Sequence, residues 1–260
     1  ISFALSRIFF THMHADHMLG VIGLCRTLAL GGRTEPMHLF GPPGSDDLLR
    51  RAIRLGTEKQ PFAIEVTEIK PGDAIEHEHY ALQTFPVDHA GKSAMGYALV
   101  EKDRLGRFDP DAARALGIPE GPMWGALHRG KPVTLPDGRV ITAESLVGPS
   151  RPGRRVVITG DSRPCEATIN AAQDADLLVH EATFSDEEAP RALETGHSTA
   201  REAAEVAAKA GAKKLLLTHF SARYTRDATE LQAEARAVFP ETYIARDGLE
   251  LDIAFGDQAG

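Results

Sequence analysis

Four side chains able to hold a metal ion, His12, His14, Asp16 and His17, fall within six positions of the stretch Thr11-His12-Met13-His14-Ala15-Asp16-His17. An apolar run, Ile8-Phe9-Phe10, precedes them and an amphipathic one, Met18 to Leu30, follows. Alternate side chains of an extended segment point the same way, so His12 and His14 can converge on one ion. Asp16 and His17 come where strand-like spacing gives way to helical spacing, and the turn aims them elsewhere. That geometry suits two neighbouring ions, about 4 Å apart and sharing a bridging water. Neutral imidazoles and a carboxylate are donors that Zn²⁺ accepts. The bland alternative is a solvated loop rich in histidine, and the spacing and strand-end placement tell against it together. The H-E-x-x-H helix signature of zinc proteases is absent.

The same event recurs along the chain: a ligand-type residue at the end of an apolar, strand-like run. His89 follows Ala81 to Val87, Asp161 follows Val156-Val157-Ile158-Thr159, His180 ends Leu177-Leu178-Val179, and His219 follows Leu215-Leu216-Leu217. Strand ends in a layered α/β fold gather along one edge, so these residues can share a cleft. Together they supply enough donors for a dinuclear site, with a carboxylate available to bridge it. His77 and His79 sit among charges without a strand end and read as surface residues. His180, just ahead of Glu181, reads as structural, and His38 and His128 receive no role.

The elements that must position these groups alternate between strand and helix. Strands are expected at 37–40, 64–68, 81–87, 95–100, 156–159, 177–180, 215–217 and 249–255, the last with one buried and one wet face. Helices are expected over 18–30 and over 164–173. A further helix begins where Ser45 caps it, with Asp46 and Asp47 in its first turn, and ends at Gly56. Another starts at the capping-box pair Thr199 and Glu202 and closes at Gly211, and a last one runs over 228–239 to Pro240. There is no internal repeat. The chain reads as one α/β domain spanning 1–260.

About 101–155 differ in character. This stretch has ten Lys and Arg against seven Asp and Glu, and it is dense in Gly and Pro between Gly106 and Gly138. The chain as a whole carries 29 basic and 37 acidic residues, a net charge of −8, the wrong sign for holding a polyanion by bulk electrostatics. Any polyanion must therefore be met by a local patch. We expect a protruding, flexible arm that cannot pack as a regular core element, with Met123 and Trp124 as contact residues and Arg129 and Lys131 as phosphate contacts. The alternative is an ordinary surface insertion whose charges are only solvated. Cys25 and Cys165 are expected as reduced thiols. No run approaches membrane-spanning length and the start lacks a signal-type pattern, so a soluble, cytoplasmic protein is expected. The sequence opens on Ile1 rather than Met, which reads as a processed chain or a fragment.

The H-x-H-x-D-H pattern at 12 to 17, with a later His, a Gly-Asp and a final His, resembles the metallo-β-lactamase superfamily. Within it, Gly160-Asp161-Ser162, His180-Glu181-Ala182-Thr183-Phe184, His197-Ser198-Thr199 and Leu217-Thr218-His219-Phe220-Ser221-Ala222-Arg223-Tyr224 look like the ribonuclease Z family of tRNA 3′-processing endonucleases. The Gly/Pro-rich arm looks like the exosite by which that family grips the tRNA elbow. The resemblance implies a four-layer αββα sandwich with a protruding arm, precursor tRNA as substrate, a homodimer, and two Zn²⁺ per chain, for which Mn²⁺ or Co²⁺ can substitute. It implies that His12, His14 and His89 hold one ion, that Asp16, His17 and His219 hold the other, and that Asp161 bridges. Asp16 would also orient or deprotonate the attacking water, and His197, assisted by Glu181, would protonate the leaving 3′ oxygen. For His197 a plain N-cap role is the alternative, and for Glu181 a role in holding a ligand in place. Ser221 and Arg223 are expected phosphate contacts.

The chain departs from the family at its start: members carry further N-terminal strands and a glycine-containing loop, whereas only a few residues precede the first strand here. The expectation is a chain that, alone, is poorly stable or inactive. Two rivals use the same residues differently. A small-molecule hydrolase of the superfamily, a thioesterase or lactonase, would need no arm. A metal-stabilised RNA-binding module would need no turnover, although all seven ligand-type residues are present.

Overall fold

The computed structural model describes residues 4–56, 61–224 and 226–256; Ile1, where the sequence opens, lies outside them. The chain forms two compact units, residues 1–100 with 155–253, and residues 101–154 with 254–260.

The first unit opens with β1 (Arg7–Phe9), α1 (Ala15–Met18), α2 (Gly20–Leu30), β2 (Met37–Gly41), α3 (Ser45–Arg54) and β3 (Ile64–Glu68). The strands form a parallel sheet in the order β1-β2-β3. Val21, Cys25 and Leu28 recur at helical spacing on α2 and pack with Leu49 and Ala52 of α3 over Met37 and Leu39. The single helix expected from Met18 is two segments, joined at Leu19 by a tighter turn in which Ile22 N–H reaches the Leu19 carbonyl. Ser45 does not cap α3. Gly44, at φ 90°, takes the cap position, and the Glu68 carboxylate accepts from the N–H groups of Gly44 and Asp46 at 2.9 Å. A residue distant in sequence thus supplies the anion that a helix N-terminus attracts.

Next come β4 (Ala74–Glu76), β5 (Tyr80–Pro86) and β6 (Met95–Glu101), and then the second unit. Its structure corrects the expectation that this stretch packs no regular elements. It holds α4 (Pro110–Ala115), α5 (Pro122–His128), β7 (Val133–Thr134) and β8 (Val140–Ile141) around Ala113, Ile118, Leu127, Leu135 and Leu146. Gly and Pro here mark helix starts and turns rather than an absence of structure: Asp109 caps α4 with Pro110 in its first turn, and Gly117, Gly121 and Gly138 take positive φ. Met123 and Trp124 pack on this small core, and Trp124 Nε1 donates to the Ile118 carbonyl at 3.1 Å. They are core-covering residues more than free contact residues.

The chain returns to the first unit with β9 (Arg155–Ile158), α6 (Glu166–Ala171), β10 (Leu177–Glu181), α7 (Ala189–Thr195), α8 (Ala200–Ala210), β11 (Leu215–Thr218), α9 (Thr229–Arg236) and β12 (Thr242–Ile244). The seven-stranded mixed sheet runs β12-β11-β10-β9-β6-β5-β4. The final strand is therefore 242–244, paired parallel with β11, and not 249–255. Alternation reports which face is buried but not whether a ladder partner is free, and β12 already occupies the β11 edge. Alanines at 200, 203, 204, 207 and 210 give α8 a flat face that sits closely on Leu178, Leu215 and Leu217. Between the sheets, Phe9 and Phe40 stack at 4.6 Å and pack with Met95 and Tyr97. Helices, sheet, sheet and helices follow one another as four layers, the expected αββα sandwich.

Candidate metal centre

The opening motif is held by contacts between the sheets. Tyr97 Oη donates to the Phe10 carbonyl at 2.6 Å, and Met95 N–H donates to the Thr11 carbonyl at 2.9 Å. Both bonds fix the backbone just ahead of His12. Gly160, at φ 65°, approaches Thr11 so closely that a Cβ there would lie 2.8 Å from the Thr11 Cβ. Only glycine tolerates both the left-handed backbone and the approach, and the next residue, Asp161, is thereby set against the motif. His14 is extended (φ −64°, ψ 147°) at the start of α1, and α1 carries Asp16 and His17. His219 follows β11 with φ 57°, and Ala90, beside His89, has φ 49°. Left-handed non-glycine residues are costly locally and here flank the site.

These elements converge seven side chains. His12, His14, His89 and Asp161 have donor atoms all within 4.8 Å of one another, as do Asp16, His17 and His219. His12 Nε2 lies 3.1 Å from His14 Nδ1, and His89 Nε2 lies 3.5 Å from the same atom. Asp161 stands between the groups: Oδ2 is 3.5 Å from His12 Nε2 and 3.3 Å from His17 Nε2, and Oδ1 is 3.4 Å from His219 Nε2. His12, His89 and Asp161 are buried, whereas the Asp16 side chain is 77% exposed, so the second group opens to solvent. His89 donates Nδ1–H to the Gly196 carbonyl at 2.9 Å, which leaves the Nε2 lone pair aimed inward.

The electrostatics match a cation site. Burial pushes the His12 imidazole down to about 4, against the pull of Asp161. Burial alone would raise Asp161, but the His17 hydrogen bond and the charges of His219, His17 and His12 hold it at about 2. Neutral imidazole at His12 beside ionised Asp161 is the protonation state that a divalent metal requires, whereas the Asp161 hydrogen bond raises His17, whose proton a metal would displace. Asp161 Oδ1 is moreover buried with no hydrogen-bond partner among the described residues. An anionic oxygen so placed costs folding free energy that a cation would offset. The residues present fit a metal, and their nitrogens and carboxylates suit Zn²⁺, Mn²⁺ or Co²⁺ alike.

A second cluster adjoins. Buried Glu181 receives N–H bonds from Ser162 at 2.8 Å and Ser198 at 3.1 Å, and its Oε1 lies 2.8 Å from His197 Nδ1. Burial lowers the His197 imidazole, but the Glu181 hydrogen bond and the charges of Glu181 and Asp161 together outweigh it, and the net shift is upward. Its ring stacks on His219 at 5.3 Å. Thr183, to which the sequence reading gave no role, joins the clusters: its Oγ1 lies 2.6 Å from Glu181 Oε2 and 2.9 Å from His219 Nδ1. The capping-box reading likewise found Thr199 and Glu202 but not Arg163, whose guanidinium meets Glu202. No local spacing signals that pair.

The remaining expectations divide. His180 is buried on the face that packs against α8, with Nδ1 on the Glu181 carbonyl at 2.8 Å, and joins no ligand group. His77 and His79 are exposed. Ser221 N–H is bound by the Thr183 carbonyl at 3.0 Å. Arg223 pairs with Glu188, which also accepts from Tyr224 Oη at 2.9 Å. In the second unit, Arg129 and Lys131 are exposed and have no ion-pair partner among the described residues, unlike Arg114, Arg139 and Arg154. Cys25 and Cys165 are free thiols. No helix among the described residues is long and apolar enough to cross a membrane.

The sequence matches the β-lactamase superfamily domain model over residues 4–150 and 126–220. It is 58% identical to ribonuclease Z of Gemmatimonas aurantiaca over 259 residues, 99% of this chain and 82% of that protein. Identity to ribonuclease Z of Myxococcus xanthus is 53% over 98% of this chain and 83% of that one. Among solved structures, human tRNase Z, short form, superposes with a TM-score of 0.64 at 24% identity, covering 97% of this chain and 80% of that one, a likeness of fold. With the superfamily domain matched and identity of this extent along almost its whole length, the chain belongs to the ribonuclease Z family of the β-lactamase superfamily.

Proposed function

We propose that the protein is a metal-dependent endoribonuclease that removes 3′ trailers from precursor tRNA and leaves a 3′ hydroxyl. The observation that carries this is the sharing of Asp161 between two ligand groups with the Glu181–His197 pair alongside. His12, His14 and His89 would hold one Zn²⁺, Asp16, His17 and His219 the other, and Asp161 would bridge them. When bound, two such ions bring the pKa of shared water toward neutrality and offset the negative charge that gathers on the phosphorus. Asp16, exposed at the open side, orients the attacking water and takes its proton. His197, held by Glu181, gives a proton to the departing 3′ oxygen, and Arg223 and Ser221 lie on the loop that would meet the phosphates. The second unit would act as the tRNA-binding arm through Arg129 and Lys131, which supply the local positive charge that the acidic chain otherwise lacks. Assembly as a homodimer and a cytoplasmic location complete the reading, and light scattering of the purified protein checks the first.

Incubation with a precursor tRNA labelled at its 3′ trailer tests the function directly. Cleavage on the 3′ side of the discriminator nucleotide is expected. For Asp161→Ala, we expect turnover to fall by at least about 10³-fold and bound metal to drop by one ion or more. Full cleavage by that variant, or hydrolysis of thioesters or lactones with precursor tRNA left intact, would overturn the reading.

A further inference from the structure

We infer that Arg163 is a positioning residue whose pairing with Glu202 clamps the backbone that presents His197 to the scissile bond. This rests on the reading of His197 as the proton donor and extends it to a residue outside the metal and acid machinery.

The backbone around His197 is not held by regular structure. It lies between α7 and α8, where Gly196 ends α7 in the left-handed region at φ 78°. Two consecutive carbonyls of this turn are nevertheless tied to the centre. The Gly196 carbonyl accepts from His89 Nδ1 at 2.9 Å, and the His197 carbonyl accepts from Arg163 Nη1 at 2.7 Å. The first tie fixes the turn to an inward-facing imidazole. The second fixes it to the loop after β9 that carries Asp161. A Cβ at Gly196 would come within 2.8 Å of Ala90, so the turn also lies flush on the His89 loop.

Arg163 reaches His197 in one orientation because the rest of the residue is already spoken for. Its backbone N–H donates to the Asp88 carbonyl at 2.6 Å. Its guanidinium meets Glu202 with both arms, Nη1 to Oε2 at 2.7 Å and Nη2 to Oε1 at 2.5 Å, and its side chain is 16% exposed. The planar fork of arginine makes such two-armed pairs directional, which a lysine ammonium cannot do. Glu202 is itself immobile: its Oε2 accepts from Thr199 N–H at 2.9 Å while Thr199 Oγ1 accepts from Glu202 N–H at 3.2 Å, closing the capping box of α8. The rigid helix start thus aims a guanidinium at one carbonyl, and that carbonyl belongs to His197. Glu181 holds the imidazole from the other side. With both fixed, the ring Nε2 has a defined position, which is what proton transfer in a transition state demands.

A double-mutant cycle on the metal-loaded enzyme tests the inference, with kcat and KM for precursor tRNA and metal stoichiometry as readouts. Arg163→Met is expected to lower kcat on the order of 100-fold, the cost of a small misplacement at a reacting group, with KM and bound metal unchanged. In a His197→Ala background the same substitution should have no further effect on kcat. Arg163→Lys should recover little of the loss, since the fork is missing. Glu202→Gln provides a second route if Arg163→Met fails to fold, because an amide can still serve the capping box. It should lower kcat in the wild-type background and not in His197→Ala. Losses that simply add across the cycle, loss of metal in Arg163→Met, or full recovery by lysine would each overturn the clamp while leaving His197 as proton donor. An undiminished kcat for His197→Ala would overturn both.

Discussion

Thr183 illustrates how much a single hydroxyl can carry. Its oxygen lies within hydrogen-bond distance of a Glu181 oxygen, of His219 Nδ1, and of the His219 carbonyl at 3.1 Å. Glu181 is buried and needs its donors, and His219 needs a partner on Nδ1 to keep Nε2 turned to Asp161. For Thr183→Val, which keeps the shape and removes the hydroxyl, we expect metal affinity at the Asp16, His17 and His219 group to weaken by about 10–100-fold, while Thr183→Ser stays near wild type. Titration of metal-stripped protein against a competing chelator reads this directly; equal affinities for the valine and wild-type proteins would deny the hydroxyl its part. At the same scale, His197→Ala is expected to lower kcat by about 10²–10⁴-fold with metal retained, the range for loss of a general acid. Thr199, not His197, is the N-cap of α8, and a histidine that only braced the preceding turn would instead cost stability and spare kcat.

At the scale of elements, the second unit behaves as a small structure with its own core rather than as a loose strap. Its single tryptophan, Trp124, also the only one in the chain, packs on that core and reports its integrity by emission. Glu101 meets Arg154 at 2.6 Å, and this hydrogen bond holds the carboxyl below its ordinary value of 4.5. A carboxyl depressed by folding contributes stability that is present above its unfolded value and lost as pH falls through the folded one. Glu101→Gln should therefore lower the thermal midpoint followed by Trp124 at neutral pH, and the gap from wild type should close as pH drops below about 4.5. A gap that widens in acid would reverse the sign and refute the pairing. Arg129 and Lys131, exposed and without an ion-pair partner among the described residues, are the proposed phosphate contacts. Reversing both to Glu is expected to raise KM for precursor tRNA about 10-fold or more and to flatten its salt dependence, leaving hydrolysis of bis-p-nitrophenyl phosphate unchanged. An unchanged KM would return this segment to an ordinary insertion.

For the whole molecule, the candidate metal centre would double as a stability element. Buried Asp161, whose Oδ1 has no hydrogen-bond partner among the described residues, and several facing imidazoles lie at the junction of the two sheets, so ions that bind only the folded state would stabilise it. Saturating Zn²⁺ should raise the melting temperature of chelator-stripped protein by about 5–10 °C, from about 2–3 kcal/mol of binding linkage, as followed by far-ultraviolet circular dichroism. No shift would mean that the cluster does not take the ion. Much of this was legible beforehand. Strands at 64–68, 95–100 and 215–217 are legible from alternation, and candidate donors, His180 among them, from ligand types near strand ends, because both depend on residues a few positions apart; the set of seven follows only from the family resemblance. The split first helix, the cap supplied to α3 by Glu68, the short β4 and the displaced last strand were not legible, since each depends on a partner elsewhere in the chain. The sequence by itself determined which residues could hold a cation and that most of them follow strands, with Asp16 and His17 in the turn beyond the first. Only the tertiary structure decided that Asp161 stands between the two groups, that Thr183 links them to Glu181, and that His89 reaches Gly196 across 107 positions. The reason is physical: local spacing sets the direction of a side chain, whereas convergence is set by strand order and by close approaches such as Gly160 on Thr11.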